Sequence, residues 1–229
     1  MTYVFPVSNI PSVAVAGVDE QFPVHRIYCV GRNYSEHARE MGFDPNREPP
    51  FFFTKPADAI VESGATIRYA LATENLHHEI ELVVAIGKEG VDIAREVALE
   101  HVYGYATGID MTRRDLQLAA RDKGRPWDVG KAFDESAPVS IIHRAKEIGH
   151  VSSGAIWLKV NNETRQSADL TDLIWPVPDV IAYLSKLFTL KPGDLIYTGT
   201  PAGVGPVKPG DHLHGGIEGV AQISINIAP

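Results

Sequence analysis

The stretch His77-His78-Glu79-Ile80-Glu81-Leu82-Val83-Val84-Ala85-Ile86-Gly87 carries acid and imidazole at its entry and an unbroken apolar run behind. It reads as one strand that begins in a site and ends in a core. Side chains alternate along a strand, so Glu79 and Glu81 project to the same side with Cα atoms roughly 7 Å apart. Two like charges at that spacing call for solvation, protonation of one member, or a divalent cation. A wet strand end carrying two surface glutamates is the plain alternative, and only the rest of the chain supplies partners to choose by.

Upstream, His25-Arg26-Ile27-Tyr28-Cys29-Val30-Gly31 reads as a buried strand with Arg32-Asn33-Tyr34 at its exit. Asn33 suits the cap of a short helix over 34–41 that Gly42 closes. His37 and Glu40 stand three apart there and share a face. The pair suits a general base whose imidazole the carboxylate orients, and equally an ordinary polar face. The proline-rich segment that follows cannot be regular, and a helix tethered by it is suited to act as a lid. Phe51-Phe52-Phe53-Thr54-Lys55-Pro56 looks like a strand ending in a cation, either an anion contact or a solvated lysine. Residues 1–23, broken by Pro6, Pro11, Gly17 and Pro23, read as an arm of irregular chain or edge strands ahead of one domain over 24–229.

Downstream, Ile93 to Glu100 suits a short helix and Val102 to Asp110 alternates like a strand. Asp110 then falls at a strand-to-helix junction, where a carboxylate either enters a site or closes a turn. Thr112 and Asp115 are spaced as a capping box for a helix that Gly124 stops. Lys131 follows in a mixed loop, with fewer anions near it in sequence than most lysines of the chain. Ala155 to Gln166 looks like a structural hairpin, and Val180, Ile181, Leu184, Leu187 and Phe188 mark an amphipathic helix facing the core. Lys-Pro-Gly-Asp occurs at 191–194 and 208–211, each time supplying a tight turn. The glycine-rich run Thr198 to Gly205 lacks the closing Gly-Lys-Ser/Thr of a nucleotide phosphate loop and leads to strand signals. It suits backbone N–H groups approaching a small carboxylate instead. Gly219 to Ile227 alternates cleanly as a closing strand.

At 229 residues and 44% hydrophobic, the chain suffices for one substantial core. A net charge of −8 argues against a nucleic-acid surface. Cys29, the sole cysteine, lies in an apolar run and suits a buried thiol in a reducing cytoplasm. No secretory signal opens the sequence and no apolar run reaches membrane-spanning length, so a soluble cytoplasmic protein is expected.

Five motifs then fall in a recognisable order. They are Asn33-Tyr34-x-x-His37-x-x-Glu40, His78-Glu79-x-Glu81-Leu82, Asp110-Met111-Thr112-x-Arg114-Asp115-x-Gln117, Gly130-Lys131-x-Phe133 and Thr198-Gly199-Thr200-Pro201-x-Gly203-Val204-Gly205. From about Ile27 to the C-terminus this pattern resembles the fumarylacetoacetate hydrolase family, and within it the small bacterial fumarylpyruvate hydrolases and acylpyruvases. The resemblance implies a mixed α+β, β-rich roll with a few short helices, assembled as a homodimer. It also implies that Glu79, Glu81 and Asp110 bind Mg²⁺ or Mn²⁺, and that His37 and Glu40 form a water-activating catalytic dyad on a lid. By the same resemblance Lys131 and Gln117 face the substrate, and Arg32, Arg114 and Thr200 contact it. Three carboxylates without a thiolate are a hard oxygen donor set, which suits Mg²⁺ or Mn²⁺ over zinc. The implied substrate is a small anionic 2-oxo acid, an acylpyruvate whose C–C bond is hydrolysed; fumarylpyruvate would give fumarate and pyruvate, as in gentisate breakdown. Decarboxylation of oxaloacetate or a related oxo-diacid is the competing enzyme reading. A non-enzymatic metal-binding β module is a third, and it leaves the His37–Glu40 helix and Lys131 without a role.

Overall fold

The protein is described by a computed structural model over residues 2–6, 9–35 and 48–229. A hairpin of Ser12–Ala14 (β1) and Gln21–Pro23 (β2) forms the arm. The main sheet runs, in spatial order, Phe52–Lys55 (β4), Arg26–Val30 (β3), Asp194–Tyr197 (β15), Ile80–Ile86 (β8), Val102–Ile109 (β9), Ala137–Val139 (β11) and Ile60–Glu62 (β5). His143–Arg144 (β12) adds to β9. A second sheet orders Glu163–Asp169 (β14), Ala155–Val160 (β13), His212–Ile217 (β17), Gln222–Ile227 (β18) and Thr66–Ile67 (β6). A small third sheet joins Thr112–Arg113 (β10), Leu76–His78 (β7) and Gly205–Pro206 (β16). The described helices are few: Arg114–Asp122 (α1), Asp128–Lys131 (α2), Ala145–Ile148 (α3) and Val177–Leu187 (α4), with short 3₁₀ turns. The architecture is mixed α+β and strand-rich, with a curled main sheet.

The apolar run of β8 is unbroken because both of its faces are buried. Ile80, Leu82, Val84 and Ile86 meet Ile156, Leu158, Ile223 and Ile225 of the second sheet, together with Val180, Ile181 and Leu184 of α4. Val83 and Ala85 point the other way, toward Ile27, Cys29, Leu195 and Tyr197. Val13, Val15 and Phe22 of the arm belong to this second core, so the arm is packed down rather than loose. Each Lys-Pro-Gly-Asp forms the same turn. Asp194 Oδ2 accepts from the Lys191 N–H at 2.8 Å and Asp211 Oδ2 from the Lys208 N–H at 2.7 Å. Gly193 and Gly210 take φ of 97° and 86°, a region that favours glycine. Among the described residues no helix is long and apolar enough to cross a membrane.

The acidic stretch departs from the single strand expected of it. It is two strands in two sheets, β7 and β8, separated at Glu79. Opposite them, β9 and β10 are interrupted at Asp110 and Met111. The pairing nevertheless continues, from Ile80 opposite Ile109 to Thr112 opposite His77, with the Asp110 N–H donating to Glu79 O at 2.8 Å across the gap. One long antiparallel pair thus turns from sheet to sheet, and its corner carries both carboxylates.

Candidate active site

Local chain geometry brings acids from three strands together. Glu79 leaves β7, Glu81 is the second residue of β8, and Asp110 ends β9. Their carboxylate oxygens lie within 4.8 Å of one another, and Glu79, Glu81 and Asp110 are only 5%, 1% and 0% exposed. Three buried negative charges at this spacing are untenable without compensation. Three cations supply it.

Lys131, at the end of α2, places its ammonium between two of the acids, 3.0 Å from Glu79 Oε2 and 2.6 Å from Asp110 Oδ2, and donates also to Thr112 Oγ1 at 2.7 Å. Arg114, the first residue of α1, ion-pairs with Glu79 Oε1 and donates to Gln117 Oε1. Lys55, at the end of β4, stands 2.8 Å from Asp110 Oδ1 and donates to the carbonyls of Met111 and Lys131. Apart from that ion pair, Asp110 Oδ1 has no hydrogen-bond partner among the described residues, so a lone pair is left for a cation.

Among the described residues no lysine or arginine ion-pairs with Glu81. Its Oε2 accepts the Gly199 N–H at 2.7 Å. Burial, then Asp110 and Glu79, push its carboxyl well above the usual carboxylate range, while Lys131 and the Gly199 N–H pull the other way. Burial pulls the Lys131 ammonium down, but Asp110 and Glu79 outweigh that and its pKa is raised. The two flanking histidines are poor ligands. Burial, with Arg114 next, lowers His77 to about 4, and its Nε2 is engaged by Asn75 Oδ1 at 2.8 Å. His78 is lowered by burial too and is held by Gln166.

This donor set fits a hard divalent cation: three carboxylate groups with oxygens within 4.8 Å of one another, and no thiolate among them. A cation that takes ionised Glu81 displaces its proton. Affinity for Mn²⁺ should therefore rise with pH from the ordinary carboxylate range upward, until the elevated Glu81 pKa is passed. Calorimetry in buffers of different ionisation enthalpy is expected to show up to one proton released per ion, diminishing at higher pH. Binding without proton release at any pH would count against this assignment.

Several sequence expectations change here. Lys131, which has few anions near it in sequence, is clasped by two in space. Lys55 is 3% exposed, so its reading as a solvated strand end is wrong. Thr112 does not cap a helix: it pairs in β10, and α1 begins after Arg113 with no side-chain cap. Its hydroxyl lies 3.2 Å from both Glu79 Oε1 and the Asp110 carbonyl, inside the centre. Asp115 accepts from Thr73 Oγ1 at 2.6 Å instead. The glycine-rich loop does offer backbone N–H to a carboxylate, but to Glu81 of the chain itself.

Arg32 lies over the Phe51 ring, 5.2 Å from its centroid. Phe51 and Phe53 pack on Trp127, and Lys131 Nζ is 5.1 Å from the Phe53 centroid, so an aromatic wall connects Arg32 to the centre. The Thr200 hydroxyl donates to Ile80 O at 2.8 Å and is thereby committed to the backbone. His37 and Glu40 lie outside the described residues.

Comparison with known proteins agrees with this geometry. The family described as fumarylacetoacetate (FAA) hydrolase C-terminal matches residues 26–228. A fumarylpyruvate hydrolase of Ralstonia sp is 52% identical over 186 residues, 81% of this chain and 96% of the relative. The mitochondrial oxaloacetate tautomerase of Homo sapiens is 42% identical over 201 residues, 88% of this chain and 90% of the relative. The crystal structure of fumarylpyruvate hydrolase from Pseudomonas aeruginosa in complex with Mn²⁺ and pyruvate matches with a TM-score of 0.97 and 52% identity, over 99% of each chain. The chain is accordingly an enzyme of the fumarylacetoacetate hydrolase family.

Proposed function

We propose that the enzyme hydrolyses the C–C bond of an acylpyruvate, with fumarylpyruvate as the substrate and fumarate and pyruvate as products. The observation that carries this reading is the buried Glu79–Glu81–Asp110 centre with the Lys131 ammonium in it. The 52% identity to a fumarylpyruvate hydrolase points the same way. Glu79, Glu81 and Asp110 would hold Mg²⁺ or Mn²⁺. When bound, such an ion supplies Lewis-acid chemistry, drawing electron density from a 2-oxo acid so that the pyruvate fragment leaves more readily.

The chain's own groups supply the rest. His37, oriented by Glu40, takes a proton from the attacking water as it adds to the carbonyl of the acyl group. Lys131 would turn one of its three N–H donors, held here by Glu79, Asp110 and Thr112, to the oxygen on which negative charge develops. Gln117 joins it: Arg114 can only donate, so Gln117 Oε1 faces the guanidinium and its N–H₂ group is the end left to donate. The C–C bond then breaks with its electron pair on the pyruvate methylene carbon, which takes a proton. One water is consumed, and one carboxylic acid and one pyruvate are released. Arg32, Arg114 and the Thr200 backbone are assigned to holding the substrate. The homodimer belongs to this proposal through the same resemblance.

A second reading, proton transfer on or decarboxylation of oxaloacetate, is favoured by the 42% identity to oxaloacetate tautomerase. The dyad separates the two, since neither oxaloacetate reaction needs an attacking water. With Mg²⁺ present, pyruvate release from fumarylpyruvate should be rapid, stop in EDTA, and fall by about 10²–10⁴-fold in His37→Ala while Mn²⁺ affinity is kept. Turnover of oxaloacetate alone would transfer the enzyme to the second reading.

A further inference from the structure

Gln166 lies outside the cluster of charged groups, yet it is wholly buried and uses its entire amide. Its Oε1 accepts from the Ile80 N–H at 3.1 Å and lies 3.0 Å from His78 Nδ1. Its Nε2 donates to Thr200 Oγ1 at 2.8 Å and to Pro201 O at 2.9 Å. Two donors and two acceptors exhaust what an amide offers. Its orientation is not arbitrary, because the Ile80 N–H can only donate and the Pro201 carbonyl can only accept. His78 Nδ1 must therefore carry the proton it shares with Oε1.

What this amide replaces is a missing strand. β15 pairs with β8 as far as Tyr197 opposite Val83, and Thr198 N–H still donates to Leu82 O at 3.0 Å. Beyond that point the neighbouring chain turns away into the glycine-rich loop, and among the described residues Ile80 has no ladder partner on that side. A closed circuit of side chains takes over: Ile80 N–H to Gln166 Oε1, Gln166 Nε2–H to Thr200 Oγ1, and Thr200 Oγ1–H to Ile80 O. The loop rests directly on β14 here, since a Cβ at Gly203 would stand 2.0 Å from Arg165 O and 3.4 Å from Gln166 Cα. Ile80 is the residue between Glu79 and Glu81, and the same loop supplies the N–H that holds Glu81.

We infer that Gln166 is a positioning residue for the acidic centre: by clamping Ile80 to the Thr200–Pro201 loop it fixes the spacing of the Glu79 and Glu81 carboxylates. This rests on the reading of those carboxylates as a cation site. An amide is required because both a donor and an acceptor are used. Methionine has similar length and neither function. Groups that orient the ligands of a metal typically change affinity by about 10–100-fold when removed.

The test is Mn²⁺ affinity by calorimetry in Gln166→Met, alongside the melting temperature of the metal-free protein. The expected result is Mn²⁺ affinity weakened by about tenfold or more in a protein that remains folded. A lowered melting temperature with unchanged affinity would mean that Gln166 serves the fold alone, and would overturn the inference while leaving the cation site intact. Wild-type Mn²⁺ binding that survives Glu81→Gln would remove the cation site and the inference together. Should Gln166→Met not fold, the wild-type enzyme still answers. Exchange of the Ile80 amide proton must slow when Mg²⁺ is added, because coupling between clamp and centre is reciprocal. An Ile80 exchange rate indifferent to Mg²⁺ would refute the coupling.

Discussion

Glu81→Gln is expected to abolish pyruvate release and Mn²⁺ binding together while leaving the metal-free protein at least as stable as the wild type. Glutamine keeps the oxygen that accepts from Gly199, so the local hydrogen bond survives. What disappears is a carboxyl that burial, Asp110 and Glu79 hold well above its ordinary pKa of 4.5. The sign of the stability effect follows from linkage. A carboxyl whose folded pKa is raised binds its proton more tightly in the folded state, so its contribution to stability declines as pH rises from 4.5 toward that raised value. The amide has no such decline. Thermal melts of metal-free protein should therefore show Glu81→Gln level with the wild type in acid and more stable toward neutral pH. Cation affinity should fall by more than about a hundredfold, beyond what loss of an orienting neighbour costs. A variant that is active, or one that loses activity only because it melts, would separate Glu81 from the cation site.

This outcome opposes the usual expectation for a buried residue because the site is built against the stability of the fold. β8 is the means. Its apolar residues are buried on both faces, and each such side chain contributes about 1.5–3 kcal/mol on burial. That rigid strand can carry Glu81 at its second position despite the cost. The interruption at Glu79 and Asp110 is where the chain gives up regular pairing to aim side chains inward.

The parts of this design legible in sequence are those encoded by local period and turn chemistry. The alternation of β13 and β18 and the paired Lys-Pro-Gly-Asp turns stand where the sequence puts them, since each depends on neighbours a few residues away; α4 buries Val180, Ile181 and Leu184 as its spacing predicts, but Leu187 is exposed and Phe188 lies exposed beyond its end. The Glu79–Glu81 pairing on one side was legible for the same reason. The break between β7 and β8 was not, because His78-Glu79-Ile80 carries no glycine or proline to mark it. Lys55 reaches Met111 and Lys131 at sequence separations of 56 and 76, and Gln166 reaches Ile80 at 86. No local pattern encodes such contacts. Gln166 carries no local sign of its burial either: Thr164, two residues before it, is exposed, and a register shift in the β13–β14 pairing falls between them.

Lys131→Met is expected to part activity from cation binding, the two properties that Glu81→Gln loses together. The Lys131 ammonium occupies Glu79 Oε2 and Asp110 Oδ2, two of the oxygens a cation needs, and it carries like charge. Removing it relieves competition and repulsion, so Mn²⁺ should bind about tenfold tighter or more; even at an effective dielectric near 20, like charges about 4 Å apart repel by several kcal/mol. Catalysis should still fall by about 10²–10³-fold, the loss typical of a missing donor to a developing oxyanion. Stability of the metal-free variant should drop by about 3–5 kcal/mol near neutral pH, because two buried carboxylates lose a shared partner. That deficit should shrink when Mn²⁺ is added, because the ion supplies the missing charge, which a purely packing defect would not reproduce. Denaturant melts with and without Mn²⁺ read the effect. Weaker Mn²⁺ binding in Lys131→Met would instead make the lysine a support of the cation site, and an undiminished rate would remove it from the chemistry.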